Sequence, residues 1–179
     1  VDLPASGHAL GILKVPQTAI KLMRTGPIHE RARQIQEVFS SPKAMIILSA
    51  LPEEMVINET LEFYDKIKKE VPYFKNITIF INRTAIPSFT EEEEELLEKL
   101  ETKEAEHPEW KEYILAGFWD KELEKATKRS IERIEEKLGY TAFTFPRFGL
   151  LGGFEGGTQK VVKQMTSALI RKVRKEAGR

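Results

Sequence analysis

The sequence contains no cysteine, which removes disulfides, thiolate metal ligands and cysteine nucleophiles together. It also lacks net charge, because 28 Lys and Arg balance 28 Asp and Glu. No bulk field therefore draws it onto nucleic acid or anionic lipid, and no nucleic-acid partner is expected. Long apolar runs are missing as well: the longest, Ala44 to Leu51, is far shorter than a membrane-crossing helix requires. No signal peptide is recognisable, so a cytoplasmic location is expected. Neither G-x-G-x-x-G nor G-x-x-x-x-G-K-[ST] occurs, and the glycine-rich passage ending at Gly156-Gly157 is thus not a phosphate-cradling P-loop.

What is present fits one soluble globular domain spanning residues 1–179. The length suits a single core, and 41% apolar with 31% charged residues is an ordinary globular composition. The many Glu and Lys residues lean toward a heat-adapted source. Val1-Asp2-Leu3 reads as the end of a buried strand carrying an acidic tip, followed by a tight turn and a helix opening near Gly7. The sequence does not open with Met, and this strand has nothing before it to pair with, so we expect a piece of a longer product.

Leu10, Ile12 and Leu13 suit a short helix from Gly7 to Lys14, and Pro16 begins a second containing Ile20 and Met23. After Gly26-Pro27, Ile28, Ala32, Ile35 and Phe39 repeat as an amphipathic stripe. Ala44 to Ser49 is a continuous apolar run, the pattern of a parallel strand buried on both faces. The next helix follows Pro52, with Val56, Thr60, Tyr64, Ile67 and Val71 on one face.

Ile77 to Ile81 is a β-branched strand that delivers Asn82-Arg83 to a sheet edge. Thr90 and Glu93 have capping-box spacing at the head of an acidic helix. Beyond His107-Pro108, Trp110, Tyr113, Ile114, Leu123, Ala126, Ile131, Ile134 and Leu138 keep helical spacing, with a break at Gly117 allowed and closure at Gly139. Trp110 to Trp119 either packs this helix on the sheet or forms a partner-binding patch. Thr141 to Phe145 makes a last strand, and a closing helix from Thr158 buries Val161, Val162, Met165, Leu169 and Val173. Strands alternating with helices predict an α/β fold, a parallel sheet flanked by helices in three layers.

An acidic strand tip beside a helix N-terminus can hold Mg²⁺ through water and present N–H groups to an anion. An Asn at a strand end carries a donor and an acceptor together, although it is also a common turn former. The stretch D-L-P-A-S-G-H-A-L, from Asp2 to Leu10, resembles the switch II segment of the arsenite-pump type, or anion-transporting, ATPases, a family that includes the tail-anchored-protein targeting factors. L-P-E-E-x-x-x-x-E-T from Leu51, I-N-R at Asn82, and Pro146-Arg147-Phe148-Gly149 with Glu155-Gly156 are similar to later segments of the same family, in the same order.

That resemblance implies the C-terminal half of a deviant-Walker P-loop ATPase, from switch II onward and without its P-loop half. It implies ATP and Mg²⁺ as ligands, with Asp2 on the metal. Gly7, His8, Asn82, Pro146 and Phe148 would lie around the nucleotide, Asn82 and the Pro146 loop at adenine. Asp2, Asn82 and Pro146 are expected at one crevice. The full-length form is expected to be a homodimer with a protein client or membrane partner, and no catalytic residue is assigned to this chain. The C-x-x-C zinc clip of the targeting factors and the metalloid-binding cysteines of the pumps are absent here. Two other readings remain: a non-catalytic module docking a partner through Trp110–Trp119, and a partition or cell-division type ATPase, which the neutral charge disfavours.

Overall fold

A computed structural model describes residues 1–4, 6–86, 89–102 and 107–147, together with 162–163, 166–167 and 170. In chain order the elements are α1 (Ser6–Leu22), α2 (Pro27–Ser40), β1 (Ile46–Ala50), α3 (Glu54–Glu70), β2 (Ile77–Thr84), α4 (Glu91–Glu101), a 3-10 turn (Pro108–Trp110), α5 (Lys111–Leu138) and β3 (Phe143–Pro146). The strands are parallel and ordered β1-β2-β3, so the described residues form a mixed α/β fold. They fall into two compact units, one of Val1–Ser49 with Asn58–Ile79, the other of Ala50–Ile57 with Phe80–Arg179.

In the first unit the expected strand at Val1–Leu3 is not formed. Residues 1–4 are irregular, with Asp2 exposed. The two short helices expected around Pro16 are one, since α1 runs through that proline. Pro16 cannot donate a backbone hydrogen bond, a defect that usually breaks or kinks a helix. Here Pro16 is itself buried and the adjoining turn is anchored from outside the helix. The Tyr73 hydroxyl donates to the Leu13 carbonyl, and the Lys14 ammonium meets the Glu70 carboxylate at 2.7 Å.

Gly26 adopts φ 101°, in the left-handed region open to glycine, and Pro27 then opens α2, which packs on α1. Of the expected α2 stripe, Ala32 is buried and Phe39 joins Tyr73 and Phe74 in an aromatic cluster, while Ile28 and Ile35 are exposed. The Asn76 amide donates to the Pro42 and Ala44 carbonyls, and the Ile46 N–H to the Asn76 carbonyl, fixing the start of β1 beside the start of β2.

β1 corrects a second expectation. Ile46 and Ala50 are buried but Ile47 is 52% exposed and Ser49 is exposed, so only one face is covered. Among the described residues β1 stands at one end of the strand order, and the central place belongs to β2. There Ile77, Thr78, Ile79 and Ile81 are all buried, as a strand covered on both faces requires. Tyr64, Ile67 and Val71 are buried as expected, with Ile57 the further core residue of α3.

In the second unit α4 begins as its sequence dictates. Thr90 Oγ1 accepts from the Glu93 N–H while the Glu93 carboxylate accepts from the Thr90 N–H, a reciprocal capping box. α5 does not break at Gly117. That glycine lets α4 approach instead, since a Cβ there would lie 2.8 Å from the Leu97 side chain. Nearby, the almost buried Lys121 ammonium bridges Glu94 (3.1 Å) and Glu98 (3.0 Å). Gly139 closes α5 in the left-handed conformation, φ 75°. Val162, Lys163, Thr166, Ser167 and Ile170 are helical. Val162, expected in the core, is 55% exposed, whereas Val161, Met165, Leu169 and Val173 lie outside the described residues.

Candidate functional site

Among the described residues of the second unit, the C-terminal ends of β2 and β3 carry several irregular features. Their ladder pairs Phe80 with Phe143 and Ile81 with Thr144, then Thr84 with Pro146. Between the last two pairs β2 advances three residues and β3 two, so β2 holds one extra residue, a bulge at Asn82-Arg83. Arg83 sits at φ 57°, the left-handed conformation that few side chains other than Asn, Asp and His adopt readily. The Arg83 N–H donates to the Asn82 side-chain carbonyl at 2.9 Å.

Both flanks of the bulge are pinned. Before it lies fully buried Ile81. After it, the buried Thr84 accepts from the Arg147 N–H at 2.8 Å through its carbonyl, and the Ala85 N–H donates to the Thr127 hydroxyl at 3.0 Å. Phe80, Phe143 and Phe145 cluster on the strands leading up to the tip, with centroids 4.9 and 5.4 Å from Phe80 to the other two. Asn82 and Arg83 stand at this tip, both exposed. In open α/β sheets this end of parallel strands is where ligands gather.

The residues expected at a nucleotide divide between the units. Asn82 and Pro146 are brought to the ends of adjacent strands, Pro146 half-buried in β3. Phe148, Glu155 and Gly156 lie outside the described residues. Asp2, Gly7 and His8 belong to the first unit, all exposed, with Gly7 and His8 in the first turn of α1 and open space where a Gly7 Cβ would be. A hard carboxylate oxygen at Asp2 fits Mg²⁺, which takes most of its ligands from water and phosphate. Among the described residues no three His, Asp or Glu side chains group as a metal cage.

Two residues escape a sequence reading. Arg83 carries no turn signal, since arginine is not enriched at positive φ. Thr127 is a buried hydroxyl inside α5, where apolar periodicity passes over it. The aromatic segment also departs from the sheet-packing account: Trp119 is 75% and Tyr113 80% exposed. Trp110 stacks on the His107 ring, centroids 3.9 Å apart.

Comparison of the sequence with models of known protein families and with curated proteins gives no match. Among the described residues no helix is long and apolar enough to cross a membrane.

Proposed function

We propose that this chain is the nucleotide-responsive C-terminal part of an ATPase of the arsenite-pump type, with a P-loop NTPase fold. Asn82 and Pro146 contact adenine and Asp2 holds Mg²⁺ through water. The observation that carries this reading is the bulged, pinned end of β2, which sets Asn82 beside the Pro146 end of β3. Phe148 belongs to the same adenine loop. The first turn of α1, with Gly7 and His8, offers N–H groups to an anion. Mg²⁺ when bound would neutralise phosphate charge. The chain's own residues would orient the base and the phosphates. As part of a longer ATPase it would act in a homodimer that passes nucleotide state to a protein client or membrane partner.

Titration of the chain with MgATP, followed by NMR of the Asn82 side-chain amide, tests this directly. Asn82→Ala is expected to weaken binding roughly tenfold. Binding that is undetectable at millimolar nucleotide, or unaffected by that change, would overturn the reading. Hydrolysis by this polypeptide is not expected, because a phosphate-gripping Lys loop is absent from the sequence. Turnover that disappears in Asp2→Ala would contradict that expectation.

A second reading, a partner-docking module, is favoured by the exposure of Tyr113 and Trp119. It predicts capture of a partner that Trp119→Ala abolishes while nucleotide binding by the tip is absent.

A further inference from the structure

We infer that the turn joining α1 to α2 is a membrane-surface contact: its apolar side chains enter the headgroup layer of anionic lipid while basic side chains around them meet the phosphates. The nucleotide reading above is not needed for it.

The zero net charge of the chain is unevenly spread. From Ser6 to Ser40 five Lys and Arg stand against two Glu. Lys14 is engaged with Glu70, and Arg33 with Glu37. That leaves Lys21, Arg24 and Arg31, none of them in an ion pair among the described residues, with Glu30 the one remaining carboxylate of the hairpin. Arg31 comes one helical turn after Ile28 and shares its side of α2, whereas Glu30 lies about 200° round the helix from Ile28.

Amid these charges Leu22 is 73%, Ile28 58% and Met23 45% exposed. Single exposed apolar residues are ordinary, but three large ones on one short turn mark a contact surface. The turn itself is held, so these side chains are presented on an ordered backbone. The Met23 N–H donates to the Ala19 carbonyl at 2.8 Å, and the Glu30 N–H to the Gly26 carbonyl at 3.1 Å. His29 Nδ1 lies 2.6 Å from the Met23 carbonyl. Because a carbonyl only accepts, Nδ1 carries the proton, and the bond ties the first turn of α2 to the end of α1.

Charge decides the occupant. A second copy seated on this turn would bring its own Lys21, Arg24 and Arg31 against the same three, a like-charge contact. An anionic lipid surface supplies phosphate acceptors for those donors and an apolar layer beneath them for Leu22, Met23 and Ile28.

The test is co-sedimentation of the whole chain with vesicles of phosphatidylcholine, alone or with about one-third phosphatidylserine. Binding is expected to the anionic vesicles only, and it should weaken as salt is raised. Arg24→Gln and Arg31→Gln should each weaken it about fivefold. Leu22→Ser combined with Ile28→Ser should weaken it about tenfold. Met45→Ser, which removes an apolar side chain 59% exposed in the same unit but outside the hairpin, should leave binding unchanged. All these side chains are exposed, so thermal unfolding of each variant by circular dichroism should match that of the natural chain. Absence of binding to either vesicle, equal binding to both, or a loss that Met45→Ser shares equally overturns the inference. So does sedimentation velocity without lipid in which the Leu22 and Ile28 changes convert a dimer to a monomer, because the surface then belongs to a second copy.

Discussion

Single side chains decide where this fold departs from its sequence pattern, and Tyr73 is the clearest. Its ring stacks in the cluster with Phe39 and Phe74, while its hydroxyl donates to the Leu13 carbonyl, next to the Ile12 carbonyl that Pro16 leaves without its helical donor. Burial raises the Tyr73 phenol above its ordinary pKa, which fits a hydroxyl held as donor. Tyr73→Phe keeps the ring and removes only that bond. The loss in unfolding free energy should be about 1 kcal/mol by urea denaturation. Amide exchange in α1 should quicken around Leu13 and Lys14. An unchanged midpoint, with exchange no faster, would show that α1 continues through Pro16 without this bond. A proline at helical spacing is visible in the sequence. The tyrosine 57 positions beyond it that anchors the turn is not, because its contact is made only once α1 and the segment after α3 fold together.

Among the elements, the α4–α5 pair carries a charged clasp with a defined pH response. Hydrogen bonds that the Lys121 ammonium donates to Glu98, then to Glu94, raise its pKa above the ordinary lysine value. A pKa raised on folding contributes stability that is complete below the unfolded value and is lost as pH rises through the folded one. Thermal unfolding by circular dichroism should therefore show a steeper alkaline decline for the natural chain than for Lys121→Met, with the difference confined to pH values above about 10. Parallel declines would mean the ion pairs contribute nothing, the usual fate of exposed ones.

Much at this scale was legible beforehand. The Thr90–Glu93 capping box, the Gly139 cap and the β-branched run of β2 are local patterns, and local physics settles them. What was hidden depends on neighbours. Gly117 reads as a break but serves close packing on Leu97. Ala44–Ser49 reads as doubly buried, but Ile47 and Ser49 are exposed, and face burial depends on what packs over the strand. At the candidate site Asn82 and Pro146 could be read from their strand ends. The bulge could not, because it exists only in the register of β2 against β3.

For the whole molecule, the balance of charge has a colloidal consequence. Formal net charge is zero and the pI is about 7.0, so long-range repulsion between copies is weakest near neutral pH. Exposed apolar side chains are present on both units, Met45 and Ile47 on the first, Tyr113 and Trp119 on the second. With repulsion absent, these contacts govern association. Sedimentation velocity should show self-association greatest near pH 7 and reduced on moving about two pH units to either side. Ile47→Lys and Trp119→Lys should each lower it at pH 7, both by removing an apolar contact and by adding a positive charge. Replacement by Gln separates these effects: if Gln variants associate like the natural chain while Lys variants do not, charge alone is responsible. Association that is independent of pH and untouched by all four changes would place the sticky surface elsewhere on the chain.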